Sequence, residues 1–144
     1  MGRNYSRVLT FLLLSGLALA VTNSCSLAKS KEISEVAVKR FHDQFNTAKF
    51  TDIYRETDDQ FKQAVSEQEF SDLLQAVQRK LGTVKDVKGS SWGVNTTTAG
   101  AMATLSYDVE FTEGRAAEQF VFHITGNQAK LVRYNINSPL LITK

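Results

Sequence analysis

Few residues of this chain are able to move a proton or hold a metal. Its 144 residues include two histidines, one cysteine and four tyrosines. Neither His42 nor His123 has another histidine three or four positions away, so no helix face presents a metal-binding pair. A G-x-S-x-G elbow for a nucleophilic serine is absent, as is a glycine-rich loop that would cradle a phosphate. No metal and no cofactor is expected. His42 adjoins Phe41 at the border of an apolar helical stripe, which predicts a half-exposed surface position, and Asp43 beside it cannot face it. Tyr107 and Tyr134 fall on the apolar side of strand-like runs, where a tyrosine packs its ring and satisfies one hydroxyl. Asn95-Thr96-Thr97 fits a glycosylation triplet, a match that is common by chance.

The elements that must position these side chains follow from periodicity. Ile33, Ala37, Phe41, Phe45 and Ala48 recur every three or four residues and predict a first helix. Phe50 to Glu56 predicts a short second one, with Ile53 and Tyr54 inward, and Asp58-Asp59 opens a loop carrying Phe61 and Val65. Ser66 and Glu69 form an S-x-x-E capping box ahead of Phe70, Leu73, Leu74, Val77 and Leu81, and Gly82 suits the left-handed end of this third helix. Beyond Gly82 the period falls to two. Ala101 to Phe111, Glu118 to Ile124 and Val132 to Ile136 alternate as strands, with Gly114 and Gly126-Asn127 at the turns. An earlier strand within Val84 to Thr98 carries Trp92 and Val94. Helices followed by an antiparallel meander predict an α+β layer.

Seventeen basic residues face 15 acidic ones, and setting aside Arg3 and Arg7 leaves the two signs equal. That balance argues against a nucleic-acid partner, which requires clustered cations. A single cysteine excludes an internal disulfide framework. Residues 1–25 have the pattern of an export signal: Arg3 and Arg7, then an apolar run from Val8 to Val21 that is too short to span a bilayer. Ala18-Leu19-Ala20 suits a small-residue cleavage site. Val21-Thr22-Asn23-Ser24-Cys25 resembles a bacterial lipobox, in which the cysteine becomes the first residue and carries lipid, and Ser26 resembles the neutral second residue of lipoproteins sent to the outer membrane. The expectation is a signal peptide over 1–25 and one domain over 26–144. With Cys25 as lipid attachment site, the domain is exported and held on the periplasmic side of the outer membrane; without it, it is periplasmic or secreted.

The element order, together with Ser66-Glu67-Gln68-Glu69-Phe70, Lys80-Leu81-Gly82, Tyr107-Asp108-Val109-Glu110-Phe111, Glu118-Gln119-Phe120 and Arg133-Tyr134-Asn135-Ile136-Asn137-Ser138, resembles the NTF2-like (cystatin-like α+β) superfamily. Within it the likeness is to small exported bacterial domains of unknown function, over roughly residues 30–140. The resemblance implies three N-terminal helices packed into the hollow of a curved antiparallel sheet of about four strands. It does not imply one function, since this fold hosts enzymes, transport factors and immunity proteins.

Two functional classes follow. An enzyme of the ketosteroid-isomerase or dehydratase type needs a base in the hollow and a hydroxyl to stabilise an enolate. Tyr107 or Tyr134 would supply the hydroxyl, and Glu118, at a strand end, a carboxylate. Asp108, Glu110 and His123 have the parity that points them away. The expectation is therefore a non-catalytic interior without acid–base groups. A binding domain would instead use a pocket lined by Tyr54, Trp92, Tyr107, Phe120, Phe122 and Tyr134 to take an apolar small molecule, unless Phe41, Phe45, Phe70 and Leu74 fill the hollow. Alternatively it would bind an envelope protein, or a second copy of itself, through the outer sheet face, where Val121 and Leu131 sit among Thr104, Ser106 and Arg133. The apolar Pro139-Leu140-Leu141-Ile142 is expected to be buried by a last sheet pairing or a partner.

Overall fold

The computed structural model describes residues 20–98 and 100–142, with side chains from Ser26 onward. Residues 1–19 of the expected export signal, and the side chain of Cys25, lie outside the described residues. The chain runs α1 (Ala20–Asn46), α2 (Phe50–Arg55), α3 (Asp59–Ala64), α4 (Glu67–Leu81), then β1 (Val84–Thr97), β2 (Gly100–Phe111), β3 (Arg115–Thr125) and β4 (Gln128–Asn137), and closes with α5 (Pro139–Ile142). The four strands form one antiparallel sheet in sequential order. Among the described residues four helices, not three, precede it. The additional one is α3, which forms where a loop was expected because the Asp58 carboxylate caps the Gln60 amide at 3.0 Å and Phe61 sinks into the core.

Helix α4 follows its sequence signals closely. Ser66 and Glu69 complete the reciprocal capping box, Phe70, Leu74, Val77 and Leu81 are buried, and Gly82 ends the helix at φ 80°. Leu73, expected on the same stripe, is instead 44% exposed, since it lies one step around the helix from the buried row. Helix α1 is longer than its apolar stripe, and its buried face is rotated from that stripe. Ser30, Ser34, Ala37, Val38, Phe41, His42 and Phe45 face inward, whereas Ile33 is only half-buried and Ala48 lies past the helix end at φ 56°. Two serines tolerate this because each hydroxyl donates to a carbonyl four residues earlier, Ser30 to Ser26 at 3.0 Å and Ser34 to Ser30 at 2.8 Å.

In the sheet, Ala103, Leu105, Tyr107, Val109 and Phe111 of β2 and Ala116, Glu118, Phe120, Phe122 and Ile124 of β3 face the helices. Strand β4 departs from simple alternation. Val121 pairs with Arg133 and Phe122 with Leu131, so Val132 is an extra residue, a bulge. Leu131, expected on the outer face, is therefore buried, and Val132 takes the half-buried place; the parity of Tyr134 is kept. A second bulge leaves Ser90 of β1 without a cross-strand partner between Gly89 and Ser91. Pro139–Ile142 makes no sheet pairing. It turns into a helical turn beside α4, where Lys80 donates to the Leu141 carbonyl, leaving Leu140 41% and Ile142 82% exposed.

Candidate functional site

Two clusters of polar groups adjoin the long helix, one sealed and one open. The sealed one is built from three elements. Glu118 belongs to the inward set of β3 with Phe120 and Phe122, and because β3 begins at Arg115 it lies inside the strand, not at its end. Tyr134, from β4, donates its hydroxyl to Glu118 Oε1 at 2.6 Å. His42, from α1, places Nε2 2.7 Å from Glu118 Oε2. A carboxylate only accepts, so His42 presents this nitrogen as N–H. All three residues are buried, and the side chains of His42 and Glu118 are 7% and 2% exposed. Rings close the surroundings: Phe120 lies edge-on to His42 at 5.7 Å and Phe41 lies 5.0 Å from Tyr134. Burial, then the negative charge of Glu118 and its hydrogen bond, push the Tyr134 hydroxyl well above the ordinary tyrosine value.

This triad corrects the expectation of an interior free of acid–base groups, and of a surface-bound His42. The buried row of α1 passes through His42 because Val38, Phe41 and Phe45 surround that position, and a buried imidazole then needs a partner, which Glu118 supplies. The arrangement can share a proton and fix the tilt of α1 on the sheet. The Glu118 side chain is 2% exposed, although the residue also borders an open hollow of about 260 Å³ together with Tyr107, Gln119 and Asn135. The space beside Phe41 and Phe122 measures about 20 Å³, enough for a single water.

The open cluster lies between the N-terminal half of α1 and strands β1 and β2. Here a cleft of about 230 Å³ is lined by Lys31 and Glu35 of α1, Ser90, Ser91 and Trp92 of β1, and Leu105 and Tyr107 of β2. Lys31 pairs with Glu35 one turn along the helix and stands 5.7 Å from the centre of the Trp92 ring. Trp92 is 51% exposed although its parity, opposite Leu105, is that of the helix-covered side. Among the described residues nothing hydrogen-bonds the Tyr107 hydroxyl, the Trp92 indole N–H or the hydroxyls of Ser90 and Ser91. Burial, then the nearby Glu35 charge, raise the Tyr107 hydroxyl to about 12, which keeps it a neutral donor at physiological pH.

The residues expected to line one pocket are thus divided. Trp92 and Tyr107 meet in the open cleft. Phe120, Phe122 and Tyr134 are core, the first two stacked with ring centres 6.0 Å apart. Tyr54 is half-buried on α2 and donates its hydroxyl to the Val65 carbonyl at 3.0 Å. Phe41, Phe45, Phe70 and Leu74 are all buried, so the hollow is filled by the chain itself. Cys25 lies within the α1 segment, before the first described side chain. On the outer face, His123 approaches Asp58 at 3.3 Å. Among the described residues no helix is long and apolar enough to cross a membrane, and no group of three His, Cys, Asp or Glu side chains is placed to hold a metal.

The model of a family described as a protein of unknown function, DUF3887, matches residues 38–132, from the second half of α1 to the middle of β4. The matched span holds His42, Trp92, Tyr107 and Glu118, and ends before Tyr134. No curated protein matches the chain.

Proposed function

The chain belongs to the DUF3887 family of proteins of unknown function, and we propose that it is an exported, non-catalytic binding domain of NTF2-like fold whose ligand enters the cleft at Trp92 and Tyr107. In this reading residues 1–25 direct export and an acyl chain on Cys25 holds the domain at a bacterial envelope membrane. The observation that carries the reading is the half-exposed Trp92, set beside hydroxyl and indole groups that find no partner among the described residues. A small-molecule site combines an aromatic surface with a few unspent polar groups, and this cleft has both. An enclosed apolar pocket is set aside because Phe120, Phe122 and Leu74 are core.

The test is a small-molecule panel read by thermal shift and by intrinsic fluorescence, which the single tryptophan makes specific to this cleft. Binders are expected to move the emission and to lose their thermal stabilisation in Trp92→Ala. A pull-down partner lost in Arg133→Glu yet retained in Trp92→Ala would transfer the function to the outer face. Acylation has its own test: labelling with a radioactive fatty acid should mark the wild type and not Cys25→Ala.

A second reading, an isomerase- or dehydratase-like enzyme, is favoured by one observation, the Glu118 carboxylate held between His42 and Tyr134. It requires α1 to lift from the sheet so that substrate reaches the triad. Rapid hydrogen exchange along Val38–Phe45 would support that opening, and exchange as slow as that of β3 would end it.

A further inference from the structure

We infer that the ligand of the α1–β1–β2 cleft is a sugar ring, stacked on Trp92 and hydrogen-bonded by the groups around it; this rests on the reading of the cleft as a binding site. The walls exclude the other classes in turn. A cationic ligand would meet the Lys31 ammonium, which already stands 5.7 Å from the Trp92 ring centre. Simple anions would meet Glu35, paired to Lys31 on the same helix face. A hydrocarbon would strand the Tyr107 hydroxyl, the Ser90 and Ser91 hydroxyls and both charges without water, at a cost for each.

A neutral ring that is apolar on its C–H face and carries hydroxyls at its rim meets every requirement. Its C–H face covers the indole, and the hydroxyls, being donors and acceptors at once, satisfy a carboxylate, an ammonium and neutral hydroxyls in one plane. The volume of about 230 Å³ admits one such ring and not a larger scaffold. Two details of the chain serve the same end. The β1 bulge at Ser90 breaks the alternation next to Trp92 and lets adjacent serines border the cleft. The raised Tyr107 hydroxyl stays a donor, facing an opening in which it has no partner among the described residues.

The experiment titrates the purified protein with methyl β-glucoside and N-acetylglucosamine, and separately with tetramethylammonium and benzoate, following Trp92 emission. Either sugar is expected to give a saturable shift at millimolar concentration, the strength of a single-ring contact. By calorimetry Trp92→Ala should abolish binding, and Tyr107→Phe and Glu35→Gln should each weaken it about 3- to 10-fold, the loss of one hydrogen bond. Trp92 and Glu35 are exposed, so these variants keep the fold, as far-UV circular dichroism would verify. Sugars that leave the emission unmoved while another probe binds overturn the ligand class and leave the cleft standing. Silence from every probe overturns both, and sugar binding unchanged in Trp92→Ala overturns the site.

Discussion

Glu118→Leu tests the buried triad most directly. The substitution keeps the volume nearly constant but leaves two buried donors, the His42 N–H and the Tyr134 hydroxyl, without an acceptor. An unsatisfied buried group costs about 1–3 kcal/mol, so the pair costs about 2–6, partly offset by the apolar surface leucine buries. A net loss of about 3 kcal/mol is expected, a large share of the usual stability of a small domain. Tyr134→Phe removes one donor and leaves Glu118 bound to His42, so its cost is smaller, about 1.5–2 kcal/mol. The decisive variant is the triple His42→Leu, Glu118→Leu, Tyr134→Phe. If the triad holds α1 in place without net gain over apolar packing, removing all three polar groups restores most of what Glu118→Leu loses. Urea unfolding followed by far-UV circular dichroism gives these values, because the exposed Trp92 is a poor reporter of the core. A neutral Glu118→Leu would refute the reasoning, and so would a triple variant whose loss equals the sum of the singles.

Three further outcomes follow from groups already described. In alkaline titration of phenolate absorbance, Tyr107 should ionise near 12 and Tyr134 well above the ordinary tyrosine value; because folding favours both neutral phenols, stability should fall as pH climbs above 10.0, and Tyr107→Phe should remove the step near 12. At the acid end, burial alone would raise the Asp58 carboxyl, but the Gln60 amide, the His123 ring and the Lys130 charge outweigh it and hold it below 3.8. Its contribution is therefore present above that value and lost as pH falls through the folded one, and Asp58→Asn should flatten the acid limb of a stability–pH curve. Gly82→Ala should cost more than about 1 kcal/mol in thermal unfolding, since the backbone there has φ 80° and a Cβ would come within 1.7 Å of Thr112 Oγ1.

Regular patterns carried most of the fold into view. The capping box and spacing placed α4, and period-two alternation placed the inner faces of β2 and β3, Glu118 included. Irregular features stayed hidden. A bulge changes parity without any change of composition, so Leu131 and Val132 exchanged faces. The apolar stripe of α1 counted only apolar residues and so missed Ser34 and His42, which belong to the buried row with Val38 and Phe45. One signal was available: a glutamate in phase with Phe120 and Phe122 must find a partner once buried, and His42 lies four residues beyond Val38 on the opposing helix. The cleft was half legible, because Trp92 and Tyr107 stood out as aromatic residues with polar tips, whereas Lys31 and Glu35 resembled an ordinary solvated helix face.

The unbroken course of α1 from Ala20 to Asn46 has a consequence for an acylated Cys25. An anchor there would join the folded body without slack, through a rigid stalk and not a flexible leash. Lys31 and Glu35 lie six and ten residues farther along that stalk, a rise of about 9 and 15 Å. The mouth of the cleft would then hover just above the lipid headgroups at a set inclination, sampling whatever is displayed on that surface and hardly meeting what drifts freely beyond it.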